Sequence, residues 1–90
     1  MLERGRVVKS VAGRDAGYLL AVMQADEKSV LVCDGKERPI DRPKSKNIRH
    51  VETTVFVLEE QDLVSNRALR RALRRLISEN DCNIQEVSYV

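Results

Sequence analysis

The chain has 90 residues, of which 33% are charged and 42% hydrophobic, and its formal net charge is +2. This composition excludes an intrinsically disordered chain and is typical of one small folded domain. The longest apolar run has six residues, too few to span a bilayer, and the polar start does not resemble a signal peptide. Cys33 and Cys82, the only cysteines, have neither metal-site nor disulfide-framework spacing. We therefore expect reduced thiols, no metal site, no cofactor and a cytoplasmic protein.

Alternating apolar residues predict strands through the first 58 residues of the chain. Four of these strands cover residues 5–11, 17–25, 29–33 and 48–58. The segment Glu37–Ile40 predicts a short edge strand, because Pro39 cannot donate a hydrogen bond to a central ladder. Asp34-Gly35, between strand-like segments, indicates a hairpin turn. Five short strands joined by tight turns predict a small closed barrel or a strongly bent sheet.

Two pairs of adjacent apolar residues, Val7-Val8 and Leu19-Leu20, place side chains on both faces of their strands. We expect this pattern where a strand borders both a barrel interior and an outside contact. A candidate for this outside contact lies further along the chain, where the apolar residues take on the spacing of a helix.

An amphipathic helix is predicted over residues 65–79, with Ser65 and Asn66 as candidate N-terminal caps. Its arginines lie opposite its apolar residues, within an arc of roughly 140°. They are Arg67, Arg70, Arg71, Arg74 and Arg75. The chain thus divides into a barrel over 1–58, an acidic connector over 59–64, the helix, and a tail over 80–90 whose structure the sequence leaves open. The predicted fold class is mostly β with one C-terminal helix.

The segment Gly13–Gly17 joins the first two predicted strands. Glycine adopts the positive φ values that a tight reversal needs, and its missing Cβ lets a backbone approach a phosphate. By itself such a segment is usually only a hairpin loop. It is not a P-loop, since no Gly-Lys-Ser/Thr follows, and it is not a dinucleotide fingerprint, since no helix begins after it.

The sequence offers little for catalysis. His50 is the only histidine, so neither a His-paired nucleophile nor a histidine cluster is available beyond that one ring. The paired carboxylates Glu59-Glu60 lie on the predicted connector, where a solvated acidic surface is the ordinary interpretation. We therefore expect neither an enzyme nor a small-molecule substrate.

Basic residues concentrate in two blocks on either side of an acidic one. Fourteen residues of the first block carry six cations, Lys36, Arg38, Arg42, Lys44, Lys46 and Arg49. The second block is the arginine face of the helix, where a merely solvated surface would mix glutamate with lysine. Clustered cations of this kind release counterions from a phosphate backbone, and arginine favours bidentate phosphate contacts. The pattern therefore favours nucleic-acid binding over a membrane, for which the helix lacks an aromatic anchor.

The three aromatic residues, Tyr18, Phe56 and Tyr89, are too few to stack a run of single-stranded bases. Basic loops and an arginine helix are better suited to the backbone and shape of a folded RNA. No helix-turn-helix, zinc finger or basic zipper is present, so sequence-specific DNA binding is not indicated.

Three segments, Gly5–Gly17, Val30–Gly35 and Pro43–His50, resemble KOW-domain RNA-binding proteins. The similarity is greatest to small bacterial stand-alone members related to KOW-type large-subunit ribosomal proteins, and it covers about residues 4–52. The resemblance implies an SH3-like five-stranded barrel that binds ribosomal RNA or a translation-linked complex. Carried over by position, the RNA-facing residues are Gly13, Arg14, Asp15 and Gly17 in the turn, and Lys44, Lys46, Asn47 and His50 in the basic segment beside it.

A second interpretation remains open, because KOW modules also bind proteins and a fold does not determine the partner. In that case the barrel docks on a ribosomal or other protein during ribosome assembly or transcription. The acidic block over 52–62 then contacts a basic partner.

Overall fold

The computed structural model describes residues 2–79, which form five strands and one α-helix. The strands are β1 (Arg6–Ser10), β2 (Leu19–Ala25), β3 (Ser29–Cys33), β4 (Lys44–Asn47) and β5 (Val51–Val57), and the helix is α1 (Asn66–Glu79). Short 3-10 turns occupy Ile48–His50 and Glu60–Asp62. The predicted connector therefore contains one of these turns, and the tail over 80–90 lies outside the described residues.

The five strands make one antiparallel sheet in the order β4-β3-β2-β1-β5. Strand β1 lies beside both β2 and the last strand, β5, so the chain returns to its beginning and bends the sheet. Register shifts between Arg6 and Val8, and between Val22 and Gln24, add local twist. This arrangement confirms the prediction of a mostly β, barrel-like fold with a C-terminal helix.

Apolar side chains lie on both faces of the sheet. One face packs beneath the helix, and the cluster between them consists of Val7, Leu19, Ala21, Cys33, Leu58, Leu63, Leu69, Ala72 and Leu73. The other face carries a second buried cluster, formed by Val8, Leu20, Val22, Val30 and Val32. The two apolar pairs noted in the sequence therefore divide between two clusters, as expected. Burial raises the pKa of the Cys33 thiol to about 12, which keeps that thiol protonated.

The helix begins where the sequence predicts. The Ser65 hydroxyl accepts a hydrogen bond from the backbone N–H of Ala68 at 3.0 Å, which caps the first turn. Leu69, Ala72 and Leu73 are buried against the sheet. The arginines consequently face away from the apolar cluster.

The predicted edge strand over Glu37–Ile40 is wrong, and the fourth strand is instead Lys44–Asn47. The Asp34 carboxylate accepts hydrogen bonds from the backbone N–H groups of Lys36 and Arg38, at 2.8 and 2.9 Å. These bonds fold the segment into a loop and leave no ladder donors there. Asp34-Gly35 thus opens a ten-residue connection over 34–43 and not a two-residue hairpin.

The helix of the described residues is neither long enough nor apolar enough to cross a membrane.

Candidate nucleic-acid interface

The loop over 13–17 reverses the chain between β1 and β2. Gly13 and Gly17 have φ values of +87° and +94°, which glycine adopts without the steric cost of a Cβ. The N–H of Gly17 donates to the carbonyl of Ser10 at 2.7 Å, and the N–H of Ser10 donates to the carbonyl of Tyr18 at 2.9 Å. Arg14 is exposed on this loop. The glycines therefore hold a cation in solvent at the end of a tight turn.

Asp15 lies inside the loop. Its Oδ1 atom accepts hydrogen bonds from the Lys46 ammonium and the Ser10 hydroxyl, both at 3.0 Å. Burial by itself would raise the pKa of Asp15, but these bonds outweigh it and hold that pKa below its ordinary value. Lys46 also donates to the carbonyl of Ala12 at 3.1 Å.

The Asp15–Lys46 pair is a buried ion pair that connects the 13–17 loop to β4. The two side chains are only 9% and 5% exposed. Both residues were predicted to contact RNA, which stays a prediction, and the structure shows that their charges face each other. Lys44 lies two residues from Lys46 on the same face of β4 and is more exposed.

The 3-10 turn Ile48–His50 lies next to the loop. The N–H of Val11 donates to the carbonyl of His50 at 2.9 Å. The Asn47 carboxamide accepts from the N–H of Arg49 at 2.8 Å, which caps the turn. Asn47, Arg49 and His50 are exposed, so this basic segment lies beside the loop as the sequence analysis expected.

The segment over 34–38 lies on another side of the same loop. The Arg38 Nε atom is 4.0 Å from Asp15 Oδ2. A pocket of about 200 Å³ opens between the two segments. Its lining residues are Arg14, Asp15, Tyr18, Asp34, Glu37 and Arg38. We call this cavity the loop pocket.

Sequence reasoning missed Tyr18, Asp34 and Glu37 as site residues. Tyr18 looks like the start of a strand, and Asp34 looks like a turn residue, so neither signals a pocket. Only the pairing of β1 with β2 and of β2 with β3 brings the two segments together.

The helix packs against the far side of the 34–40 segment. Arg70 donates through Nη1 to the carbonyl of Gly35 at 2.6 Å. The Asn66 carboxamide accepts from the N–H of Ile40 at 2.8 Å. Arg70 is therefore half-buried and joins the helix to the 34–40 segment, whereas the neighbouring Arg67, Arg71 and Arg74 are exposed.

Three exposed arginines of the helix, Arg67, Arg71 and Arg74, have no ion-pair partner among residues 2–79. Arg75 differs, because its guanidinium is 3.9 Å from the Asp62 carboxylate. Arg14, Arg42 and Arg49 likewise have no ion-pair partner within the described chain. Lys36 and Arg42 are exposed on the long connection between β3 and β4.

The segments that carry most of the predicted site residues contact one another in series. The 46–50 segment contacts the 13–17 loop, this loop contacts the 34–38 segment, and the 34–38 segment contacts the helix. We call this the basic surface. Among the described residues, no three His, Cys, Asp or Glu side chains are grouped so as to hold a metal ion.

Comparison of the chain with protein-family models and with curated proteins finds no match to either.

Proposed function

We propose that the protein binds structured RNA without catalysis, through the basic surface. The observation that carries this proposal is the set of exposed guanidinium groups that lack a partner within residues 2–79 and come from segments far apart in sequence. They are Arg14, Arg49, Arg67, Arg71 and Arg74. In keeping with the resemblance to KOW-domain proteins, we propose ribosomal RNA or a translation-linked complex as the target, and the cytoplasm as the location.

Electrostatics favours a polyanion as the partner of this surface. Two of the acidic residues beside it make internal contacts, since Asp15 pairs with Lys46 and Asp34 caps its own loop, whereas Glu37 and Asp41 are exposed. The exposed arginines repel one another in the free protein, and a phosphate backbone removes that repulsion and releases its own counterions. Because the cations lie on a bent surface formed by two loops and a helix, a folded RNA fits better than a straight strand.

Salt dependence tests the proposal directly. Neutralising five phosphates predicts that log K falls by roughly 3.5 to 4.5 per decade of salt concentration. The measurement is fluorescence anisotropy of a labelled RNA hairpin with the full chain, at several salt concentrations. A binding constant that does not change with salt would contradict phosphate contacts.

A protein partner is the second candidate, and one observation favours it. Strand β5 lies at an edge of the sheet and exposes Val55 and Val57, which are 84% and 46% accessible. Unpaired sheet edges with apolar side chains pair with strands of other proteins. The acidic block contributes less than expected, because Glu60 pairs with Arg4 and Asp62 lies near Arg75.

Charge on the edge strand separates the two candidates. Val55→Lys blocks an added strand but lies outside the basic surface, so RNA affinity should stay within twofold of the wild type. If RNA binding is lost in Val55→Lys but persists in Arg71→Gln, the basic surface is not the RNA site.

A further inference from the structure

The loop pocket has features that phosphate binding does not require. Its lining includes three carboxylates, from Asp15, Asp34 and Glu37. Carboxylates repel phosphate, so the interior of the pocket does not suit a phosphate group. Two arginines, Arg14 and Arg38, also line it, which disfavours a purely cationic occupant such as a lysine side chain. The occupant must therefore offer donors to the carboxylates and acceptors to the guanidinium groups.

Two buried polar atoms in the lining residues lack partners. Asp15 Oδ2 and Arg38 Nε are inaccessible to solvent and have no hydrogen-bond partner within residues 2–79. Their separation of 4.0 Å is too long for a hydrogen bond between them. Asp15 as a whole is 6% exposed. Leaving such groups unpaired costs free energy, and a shift of the half-buried Arg38 side chain would open both atoms to a ligand that supplies one donor and one acceptor.

A nucleobase edge has this arrangement of groups. The Watson–Crick edge of guanine places a carbonyl acceptor beside an N–H and an amino group, which gives one acceptor and two donor groups in a row. The acceptor matches a guanidinium donor, and the two donor groups match the carboxylates, which only accept. Tyr18 adds an aromatic ring to the lining, and unpaired RNA bases stack on such rings.

We propose that the loop pocket binds a single unpaired guanine of a structured RNA, with its phosphates held outside on the basic surface. The proposal rests on the proposed RNA-binding function and specifies its ligand. A volume of about 200 Å³ accommodates one base and not a run of bases. This agrees with the scarcity of aromatic residues, because one pocket does not make a stacking track. A guanine presented in a bulge or loop of a folded RNA satisfies both the pocket and the surface.

The experiment compares RNA hairpins that differ at one nucleotide, using fluorescence anisotropy with the full chain. One hairpin has a bulged guanine, two have a bulged adenine or uracil, and the fourth is fully paired. We expect the guanine bulge to bind at least tenfold more tightly than the paired hairpin. In the Asp15→Asn and Glu37→Gln variants we expect the ratio of the guanine-bulge affinity to the paired-hairpin affinity to fall below threefold. The ratio of affinities within each variant removes the effect of changed net charge.

Glu37 is exposed, so Glu37→Gln retains the fold even if Asp15→Asn weakens it. Arg71→Gln is the matched control, because it weakens all four hairpins alike and leaves the preference unchanged. A preference for guanine that persists in both pocket variants would overturn the proposal. Equal, salt-dependent binding of all four hairpins would also overturn it, while leaving the proposed RNA-binding function intact.

Guanosine, which carries no phosphate, tests the pocket independently of RNA binding. In NMR titrations of the full chain we expect guanosine to shift the amide signals of Gly17, Lys36 and Arg38, whereas inorganic phosphate leaves them in place. Failure of every hairpin to bind, combined with these guanosine shifts, would refute the basic surface and retain the pocket. If an arginine-containing peptide shifts the three signals and guanosine does not, the pocket binds protein and the proposal fails.

Discussion

At the scale of single residues, the most consequential arrangement is the buried pair of Asp15 and Lys46. A lysine with a 5% exposed side chain is unusual, and here its ammonium serves both a carboxylate and the Ala12 carbonyl. The pair holds the 13–17 loop against β4 and so positions Arg14 on that loop. A buried lysine and a more exposed one therefore lie two residues apart on one short strand.

Lys46→Met and Lys44→Met should separate these two roles. Removing one member of a buried ion pair leaves an uncompensated charge, so Lys46→Met should lower the free energy of unfolding by about 3 kcal/mol. Lys44→Met should change it by less than about 0.5 kcal/mol, as an ordinary surface substitution does. Urea denaturation followed by circular dichroism measures both. Equal losses in the two variants would contradict a structural role for Lys46.

Asp15 also predicts how stability depends on pH. Its folded-state pKa lies below the ordinary value of 3.8, so its contribution is complete above about pH 4 and is lost as pH falls through the lower folded pKa. Asp15→Asn should therefore flatten the decline in melting temperature below pH 4. Glu60→Gln is the control, since the pKa of Glu60 is also lowered but the pair with Arg4 is exposed and contributes little. A wild-type decline that Asp15→Asn leaves unchanged would exclude Asp15 as its cause.

At the scale of elements, the helix depends on the connection between β3 and β4. Gly35 has a φ of +80°, and a Cβ placed there would lie 2.5 Å from the Asn66 carbonyl oxygen. Arg70 donates to the Gly35 carbonyl in the same contact. The first turns of the helix therefore pack directly on a glycine backbone.

Gly35→Ala and Gly17→Ala isolate this contact. Both glycines have positive φ, so each substitution incurs a backbone cost of about 1–2 kcal/mol. Gly17 has nothing within 4 Å of its would-be Cβ, whereas Gly35 has the helix backbone. We expect Gly35→Ala to lower the free energy of unfolding by at least 1 kcal/mol more than Gly17→Ala does, roughly the cost of overpacking. Chemical denaturation measures the difference, and equal effects would exclude close helix packing at this point.

The elements also show what the sequence could determine. Helical periodicity and the Ser65 cap predicted the helix, and adjacent apolar residues predicted a sheet buried on both faces. The fourth strand was missed because Lys-Ser-Lys-Asn has no apolar alternation, and its buried position is occupied by Lys46. Glu37–Ile40 was predicted as a strand because the sequence does not show that the Asp34 carboxylate accepts hydrogen bonds from the neighbouring backbone N–H groups. Those bonds depend on the three-dimensional geometry of the loop.

At the scale of the whole molecule, the basic surface is made by topology. Its segments are separated by up to about two thirds of the chain and meet only because β1 lies between β2 and β5 while the helix returns over β3. The sequence therefore predicted the cations individually, but not that Arg38 and Arg14 share a pocket with three carboxylates. It also did not distinguish Lys46 and Arg70, which make internal contacts, from cations exposed to a ligand.

A double substitution on the helix tests the extent of this surface. Arg71→Gln with Arg74→Gln should reduce the slope of log K against log salt by roughly 1.4 to 1.8, since each lost phosphate contact contributes about 0.7 to 0.9. Arg4→Gln with Arg6→Gln changes the net charge equally, but these arginines pair with Glu60 and Glu3. For this control variant we expect the slope of log K against log salt to stay within about 0.5 of the wild-type slope, because no phosphate contact is lost. Equal slopes for the two double variants would mean that only net charge matters.

The apolar packing on both faces of the sheet has a consequence for how the sequence tolerates change. Residues 19–22 of β2 are all buried, so no position in that run has a solvent side. In a library of all single substitutions, polar residues should be rejected there at every position. Strand β5, whose burial varies from residue to residue, should accept them at its exposed positions. Sequence variation compatible with the fold should therefore concentrate at exposed positions of β5, of the loops and of the arginine side of the helix, which are also surfaces available to a partner.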